Sequence, residues 1–383
     1  MPIQVARNKG MVLRAKECSD YVVNVLNSHI TIPINGKLNQ KTLVRMLVGM
    51  AAEKQSIHSI RSSLSSVPCE TSCRYHLAKL NHEYLEDEAS SILLDLPDSV
   101  LKSGRSYRFA IDYTDDPYYG EIEGENADFV RRTQVKRSTT KVYTYVTLYV
   151  IQNGKRFTLA VFPVRNKESK TFSIQQCLDV ISAHSYEIEV LCLDRAFYSI
   201  NVMNFIEERN IPYIIPVVKH GKMLKSLLEV PKSCFLHYTI RSKDKSKDVL
   251  LTVKVGYLKG KTGKKGKISL GYVASKLSWT PEKVHQAYKF RFGIESSYRL
   301  RNRVRPFTTS RNPTLRFLFA IISFLMENVW VSLQWIFFTP LQRGPRKVDS
   351  DLFRFELFRI LVWEGVRKFL KGVSEIHTLR CQI

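Results

Sequence analysis

Residues 107–112 read YRFAID and residues 189–194 read EVLCLD, and each of these short apolar runs ends in an aspartate. Apolar runs of this length are typical of buried β-strands. In sheets that alternate with helices, functional side chains gather at the carboxyl ends of the strands. The two stretches therefore predict central strands that bring Asp112 and Asp194 towards one site.

Further strand and helix patterns surround these two strands and give the order β-β-β-α-β-α-β. Two of the strands form a hairpin, because Asn153-Gly154 between them is a typical turn dipeptide. The fold predicted is α/β. The predicted elements are strands at 107–113, 142–151, 156–164, 189–193 and 213–218 and helices at 171–183 and 200–209.

A third acid lies in a helix that is otherwise rich in cations. The stretch 288–302 reads YKFRFGIESSYRLRN, and Thr280-Pro281 supply an N-cap and a first helical residue upstream of it. At about 100° per residue, Tyr288, Arg291, Glu295 and Asn302 fall in one stripe of a single helix. Taken alone, Glu295 is most simply a salt-bridge partner within that helix.

Two aspartates at strand ends change the interpretation of Glu295. Three carboxylates with open coordination positions suit Mg²⁺ or Mn²⁺, and two such ions can flank a phosphodiester. We therefore predict Asp112, Asp194 and Glu295 as catalytic metal ligands. From the residues alone, Asp115 or Asp116 stays open as a replacement for Asp112, and Asp194 could simply pair with a cation.

The chain is strongly basic, with a formal net charge of +24 over 383 residues. Such an excess favours a polyanionic partner. Residues 217–280 hold 15 Lys and Arg against 3 Asp and Glu, a net of +12 and half of the excess. This segment is predicted to be a basic insertion that contacts nucleic acid.

The N-terminal 100 residues are predicted to be mostly helical. Helical stretches at 56–64 and 70–80, separated by Pro68, suggest a helix-turn-helix over residues 56–80. Its second helix carries Arg74 and Lys79. We therefore predict a separate DNA-binding domain over residues 1–100, with an ordinary helical hairpin as the alternative.

The C-terminal part contains the most apolar region of the chain, residues 315–338. Glu327 and Asn328 interrupt its middle, so we expect a buried core helix and no membrane association. The tail, residues 341–383, is predicted to be an amphipathic helical segment that packs on the core or serves in dimerisation. Seven scattered cysteines and an N-terminus without an apolar signal core favour a reducing, cytoplasmic location.

The acids and their surroundings resemble the DDE transposases of bacterial and archaeal insertion sequences. The stretches IDYTDDPYYG (111–120) and LDRAFYS (193–199) match the two aspartate motifs, the first in a PYYG variant. Tyr288-x2-Arg291-x3-Glu295 matches the Tyr-Arg-Glu-Lys signature of the insertion-sequence-four-like group. PFTTSRNP (306–313) before an apolar helix also resembles the family, and the similarity covers about residues 105–335. One departure is that Asn302 stands where the signature has a lysine.

The resemblance implies a ribonuclease-H-like core formed by residues 101–216 and 281–340, interrupted by a β-rich insertion at 217–280. It implies cut-and-paste transposition with two Mg²⁺ or Mn²⁺ ions, a hairpin intermediate and strand transfer. The partners would be the terminal inverted repeats and target DNA, held by a homodimer in a nucleoid-associated, prokaryotic setting. The predicted DNA contacts are Tyr288, Arg291, Arg299, Arg301, Asn302, Arg303, Arg74, Lys79, Lys261, Lys264 and Lys265.

Two other functions fit the same residues. One is a nuclease with the same core that cuts DNA without joining it. The other is a non-catalytic DNA-binding protein derived from a transposase, against which the three acids argue. The sequence leaves the terminal repeats, the target site, the host, the subunit number before DNA binding and the present activity of the element undetermined, and Asn302 leaves hairpin chemistry open.

Overall fold

A computed structural model describes residues 12–36, 38–152, 155–242, 244–259, 265–339, 348 and 351–374 of the chain. The described helices are α1 (Ala15–His29), α2 (Gln40–Glu53), α3 (Ile57–Ile60), α4 (Glu70–Leu77), α5 (His82–Leu94), α6 (Lys170–Ala183), α7 (Ile200–Glu208), α8 (Lys222–Leu227), α9 (Pro281–Arg291), α10 (Gly293–Val304), α11 (Pro313–Phe337) and α12 (Phe355–Leu370). The described strands are β1 (Ser106–Pro117), β2 (Val130–Lys136), β3 (Thr139–Gln152), β4 (Lys155–Pro163), β5 (Glu187–Leu193), β6 (Tyr213–Pro216), β7 (Cys234–Ser242), β8 (Lys245–Lys259) and β9 (Lys265–Ser275).

The chain divides into two compact units, each assembled from separate stretches of sequence. The first, called here the helical unit, is drawn from Met1–Leu101, Asp116–Tyr143 and Ser297–Ile383. The second, the sheet unit, is drawn from Lys102–Asp115 and Thr144–Ser296. The N-terminal helices therefore share a unit with the C-terminal part of the chain, whereas the sequence predicted a domain boundary at residue 100.

The sheet unit is built on a mixed sheet with the strand order β3-β1-β5-β6-β9-β8-β7, and β4 pairs with β3. β1, β5 and β6 run parallel at its centre, and β9 joins β6 in the antiparallel sense. The apolar runs that predicted the central strands are buried, since Phe109, Ile111, Leu191 and Leu193 have no exposed surface. These strands fix the positions of the two aspartates that follow them.

The basic segment 217–280 contributes α8 and the antiparallel strands β7, β8 and β9. The pairing of Tyr213 with Ser275 joins β9 to the core strand β6, so this segment lengthens the core sheet. The turn predicted at Asn153-Gly154 and the residues Lys261 and Lys264 lie outside the described part of the chain. The backbone of Lys265 begins β9, but its side chain is not described.

The helical unit packs around α11. This helix contacts α5, and the buried Asn328 amide donates to the Leu93 carbonyl at 2.8 Å. By length and composition α11 could cross a membrane, yet 94% of its most apolar window is buried inside the protein. Such burial is typical of a core helix, in agreement with the sequence.

α12 lies in the C-terminal tail and packs against α1 and α2. Its apolar residues Phe358, Val362 and Val366 are fully buried there. The predicted amphipathic helix is thus part of the core of the helical unit. Its proposed second role in dimerisation stays a prediction.

Two sequence-based predictions differ from the structure in this unit. The first helix of the predicted helix-turn-helix is reduced to α3, a single turn of four residues, although α4 forms at Glu70–Leu77. Ser56 caps the start of α3, and the helix ends at Ile60. The serines and Pro68 that follow do not continue it. In addition, β2 was missed; it pairs with the start of β3, where Val130 faces Tyr143.

Candidate active site

Asp112 and Asp194 lie next to each other on neighbouring parallel strands of the sheet unit. The register pairs Ile111 with Leu193, and each aspartate is the residue that follows. β5 ends at Leu193, whereas β1 continues to Pro117, so Asp112 lies inside its strand. The predicted approach of the two carboxylates at the end of the parallel ladder is therefore seen in the structure.

The guanidinium of Arg291 lies between the two aspartates. Its Nη2 is 2.8 Å from Asp112 Oδ2 and 3.5 Å from Asp194 Oδ1. The Arg291 and Asp112 side chains are 7% and 10% exposed, whereas Asp194 is 38% exposed. One cationic group thus contacts an oxygen of each carboxylate, with Asp194 on the solvent-accessible side.

Asp112 has an unusual protonation equilibrium because of its surroundings. Burial and the nearby Asp194 carboxylate raise its pKa to about 6, against the opposing charge of Arg291. The Tyr113 backbone N–H donates to Asp112 Oδ1 at 2.9 Å and favours the ionised form. Two carboxylates held this close need a cation between them.

A group of buried aromatic side chains lies next to Arg291. The Tyr288 ring is buried, lies 5.3 Å from the ring of Tyr272 and 5.8 Å from the Arg291 guanidinium. The Tyr272 hydroxyl shares a hydrogen bond of 2.8 Å with Nδ1 of His285. Burial raises the pKa of Tyr288 and lowers that of His285, so both side chains remain neutral at neutral pH.

A helix break separates Glu295 from this site. α9 ends at Arg291, Phe292 forms a turn, and α10 begins at Gly293. A Cβ at position 293 would meet the Arg156 guanidinium at 2.9 Å, so a larger residue there would displace the end of that side chain. The single stripe predicted from a continuous helix is therefore wrong: Tyr288 and Arg291 are buried and Glu295 is exposed. Among the described residues, no three His, Cys, Asp or Glu side chains form a group that could hold a metal ion.

The alternative ligands of the first aspartate motif are engaged elsewhere. Asp115 accepts a hydrogen bond of 2.7 Å from the Thr144 hydroxyl. Asp116 lies in the helical unit, where Arg301 and Arg305 contact it. These contacts favour Asp112 as the acid that acts with Asp194.

Arg301 has a different environment from the one predicted. Its side chain is 0% exposed, and its two Nη atoms donate to the Asp116 carboxylate at 2.9 and 2.7 Å. Its Nε donates to the Ser323 hydroxyl at 3.1 Å. The structure therefore gives Arg301 a place in the core of the helical unit in place of the predicted DNA contact.

The other predicted DNA contacts are nearer the surface. Arg299 and Arg303 are exposed on α10, Asn302 is half-buried, and Arg303 lies 3.6 Å from Glu356. On α4, Arg74 pairs with Glu70, and Lys79, two residues after the end of this helix, lies 4.0 Å above the exposed ring of Tyr75. Their contacts with DNA remain predictions.

The domain family described as "Transposase DDE domain" matches residues 104–321, more than half of the chain, so the protein belongs to that family. No curated protein matches the sequence. A solved structure described as "Cryo-EM structure of piggyBac transposase synaptic complex with hairpin DNA (SNHP)" has the same fold, with a TM-score of 0.55. The two are 9% identical, and the match covers 97% of this chain and 84% of that one.

Transposases of the DDE family use divalent metal ions, and the aspartate pair fits such an ion. The two side chains already hold one cationic group, the Arg291 guanidinium, in contact with both. Their oxygens are the ligands that Mg²⁺ and Mn²⁺ prefer. The structure thus places two of the three predicted ligands side by side, and a metal ion held by both would take the place of the Arg291 guanidinium.

Replacing Arg291 tests this competition. Arg291→Gln should destabilise the chain by about 1–3 kcal/mol in the absence of metal, because it leaves two adjacent carboxylates without their cation. The raised pKa of Asp112 limits the loss, since protonation relieves the repulsion. Mg²⁺ or Mn²⁺ should restore much of this stability in urea unfolding experiments and should stabilise the variant more than the parent chain.

Arg108→Gln is the matched control in the sheet unit. It also removes an arginine from a carboxylate, Glu189, with which Arg108 forms a contact of 2.8 Å. Metal should stabilise this variant and the parent equally. An equal response of the Arg291 variant would contradict the competition.

Proposed function

We propose that this protein is a DNA transposase that performs cut-and-paste transposition of an insertion sequence by metal-assisted phosphoryl transfer. The observation that carries the proposal is the adjacent Asp112–Asp194 pair, which holds a cation at the end of the parallel ladder. The formal charge of +24 gives the chain the electrostatic attraction to DNA that such a reaction needs.

Asp112 and Asp194 would hold two Mg²⁺ or Mn²⁺ ions together with Glu295. When bound, these ions would activate the attacking oxygen and stabilise the leaving oxygen of a phosphodiester. Glu295 is exposed on α10, directly after the break at Phe292, so a movement of this helix start would bring it to the pair. The break makes such a movement local to a few backbone dihedral angles.

Arg291 would change partners when the aspartates take up metal. Its guanidinium is then available to a phosphate oxygen of the DNA end, for which its planar, forked donors are suited. The ring of Tyr288 lies 5.8 Å from this guanidinium and packs beside it. Arg291 would thus act first as a counter-ion and then as a DNA ligand.

The structural neighbour is described with hairpin DNA in a synaptic complex. We propose for this chain a hairpin at the excised end and a synaptic complex in which a homodimer holds both ends. The substrates would be the terminal inverted repeats and then the target DNA, in the cytoplasm of a prokaryotic cell. Arg299, Asn302 and Arg303 on the later turns of α10 would contact the DNA backbone.

Inverted repeats that flank the gene supply the substrate for the decisive experiment. Duplexes carrying these repeats should be cut by the purified chain in Mg²⁺ to leave 3′-hydroxyl ends, and a plasmid target should then acquire the cut ends. Cutting without joined products would identify a nuclease. Sequence-selective binding without any metal-dependent nicking would identify a non-catalytic DNA-binding protein.

Hairpin formation needs its own measurement. On denaturing gels, a hairpin end links the two strands of the excised fragment and migrates at the combined length of both strands. We expect this species to appear before joined products. Open, unlinked ends at all times would contradict the hairpin step while leaving cleavage and joining intact.

A further inference from the structure

A cavity of about 550 Å³ lies in the helical unit. It is lined by the stretches 117–120 (PYYG) and 306–309 (PFTT), two motifs to which the catalytic site gives no role. Gly120 permits this arrangement, because a Cβ at that position would collide with the Tyr118 hydroxyl. The fold thus brings together two motifs that are distant in sequence.

The walls of the cavity are strongly basic. Five cationic side chains line it against a single acid, Asp116. That acid is already engaged by the buried Arg301 and by Arg305. The cations that line the cavity are Lys54, Arg137, Arg305, Arg311 and Arg316.

Three of these cations have contacts within the protein that orient them. Arg305 pairs with Asp116, and Arg311 pairs with Glu123 on the protein surface. Arg316 donates to the Ser310 carbonyl at 2.6 Å and stacks over the ring of Tyr118. Such contacts hold the guanidinium groups in fixed positions around the cavity.

Lys54 and Arg137 differ from these three cations. Within the described part of the chain, neither forms an ion pair with an acid. Burial lowers the pKa of Lys54, and the positive charges of Arg305 and Arg137 lower it further, because these three cations lie close together. Both residues have left-handed backbones, with φ of 53° and 49°, because Lys54 caps the C-terminus of α2 and Arg137 begins the turn between β2 and β3.

Two aromatic rings stand exposed at the same cavity. Tyr119 is 68% exposed and Phe307 is 57% exposed, whereas Tyr118 and Pro306, the residues before them, are buried. The Tyr119 hydroxyl donates to the Arg137 carbonyl at 2.9 Å, and the Phe307 N–H donates to the Gln55 carbonyl at 3.1 Å. Exposed rings beside clustered cations form a surface on which a nucleotide base can stack next to its phosphate.

We propose that this cavity binds a phosphate group of DNA, with Lys54 and Arg137 as its principal ligands and Tyr119 and Phe307 beside the attached nucleoside. A phosphate matches the site because it is compact, carries its charge on several oxygens and accepts the forked donors of arginine. The inference rests on the proposed function for its substrate. The cavity adds a second DNA contact outside the acidic site.

The test replaces the two uncompensated cations without straining the backbone. Asparagine tolerates the left-handed region, so Lys54→Asn with Arg137→Asn removes two charges and keeps the local conformation. The control is Lys167→Asn with Lys371→Asn, which removes two charges from exposed residues with φ of 67° and 55° outside the cavity. The two double variants therefore have the same net charge.

Fluorescence anisotropy with short duplex and single-stranded DNA, measured over a range of salt concentrations, gives the readout. The cavity variant should bind about tenfold or more weakly than the control variant, and its slope of log K against log salt should be smaller by about one to two. A larger loss for single strands would assign the cavity to an unpaired nucleotide, and a larger loss for duplex would assign it to the double-stranded backbone. Equal affinities of the two variants for both DNA forms would overturn the proposal.

A second probe separates this proposal from the proposed function. Pyrophosphate should raise the unfolding temperature of the parent chain and of the control more than that of the cavity variant. If the parent chain fails to cut DNA in metal but shows this difference, transposition fails and the phosphate site stands. If the parent chain cuts DNA and pyrophosphate affects all three proteins equally, the phosphate site fails alone.

Discussion

Asp194→Asn removes metal-dependent DNA cleavage, with an expected rate loss of about a thousandfold or more, because a neutral amide is a poor ligand for a hard divalent cation. Asp194 is the better target of the pair. Its side chain is 38% exposed and lies 3.5 Å from Arg291. Asp112 is 10% exposed and makes a shorter contact of 2.8 Å with the same arginine. A change at Asp194 therefore perturbs the fold less. The rate is measured on a duplex that carries the terminal repeats.

The control for this variant is Asp351→Asn, which neutralises an exposed acid in the helical unit that pairs with Arg354 three residues later. Both variants should bind the duplex within about twofold of the parent chain, because the phosphate contacts come from cations. Cleavage by the Asp194 variant at the rate of the Asp351 variant would exclude Asp194 as a metal ligand.

The aspartate pair could be predicted from sequence because its position depends on local patterns. The apolar runs before Asp112 and Asp194 define buried strands, and a parallel register places both acids at one end of a ladder. α6, α7 and β5 likewise lie within two residues of their predicted bounds, since their periodicity and caps are strong. The terminal cap Ser199 of α7, for instance, is visible in the sequence.

The arrangement around Glu295 could not be predicted in the same way. The hydrophobic and charge pattern of residues 281–302 continues smoothly, and only Phe292-Gly293 hints at the break. The guanidinium that lies next to position 293 belongs to Arg156, a residue distant in sequence. The contacts of Arg291 with Asp112 and Asp194 also join residues that are distant in sequence, so the sequence alone gives no sign of them.

The burial of Arg301 could not be predicted from the sequence either. This residue sits among Arg299, Arg303 and Arg305, a run typical of a DNA-contacting surface, yet it is the one that turns inward. Its partner Asp116 is 185 residues earlier in the chain. A pattern of charges within one helix shows which residues are cationic and not which of them the fold buries.

Asp116→Asn should destabilise the protein by about 3–5 kcal/mol at neutral pH, since it leaves the fully buried Arg301 guanidinium without its counter-charge. Arg305 adds less to this loss, because its side chain is partly exposed and can be solvated. The double variant Asp116→Leu with Arg301→Met removes both buried charges and should be markedly more stable than Asp116→Asn. Urea unfolding of the three proteins gives the comparison. A loss below about 1 kcal/mol for Asp116→Asn would mean that Arg301 finds another partner.

The pH dependence provides an independent check of the same pair. Burial raises the pKa of Asp116, but the charges of Arg301 and Arg305 outweigh it and hold the pKa below its usual range. A depressed pKa in the folded state means that the unfolded chain binds protons first, so this stabilisation is present above about pH 4 and is lost as the pH falls further. The difference in unfolding free energy between the parent chain and Asp116→Asn should therefore be constant near neutrality and shrink in acid. A difference that instead grows on acidification would assign Asp116 a raised pKa and the opposite sign, because a carboxyl that is protonated more easily in the folded state stabilises the fold at low pH.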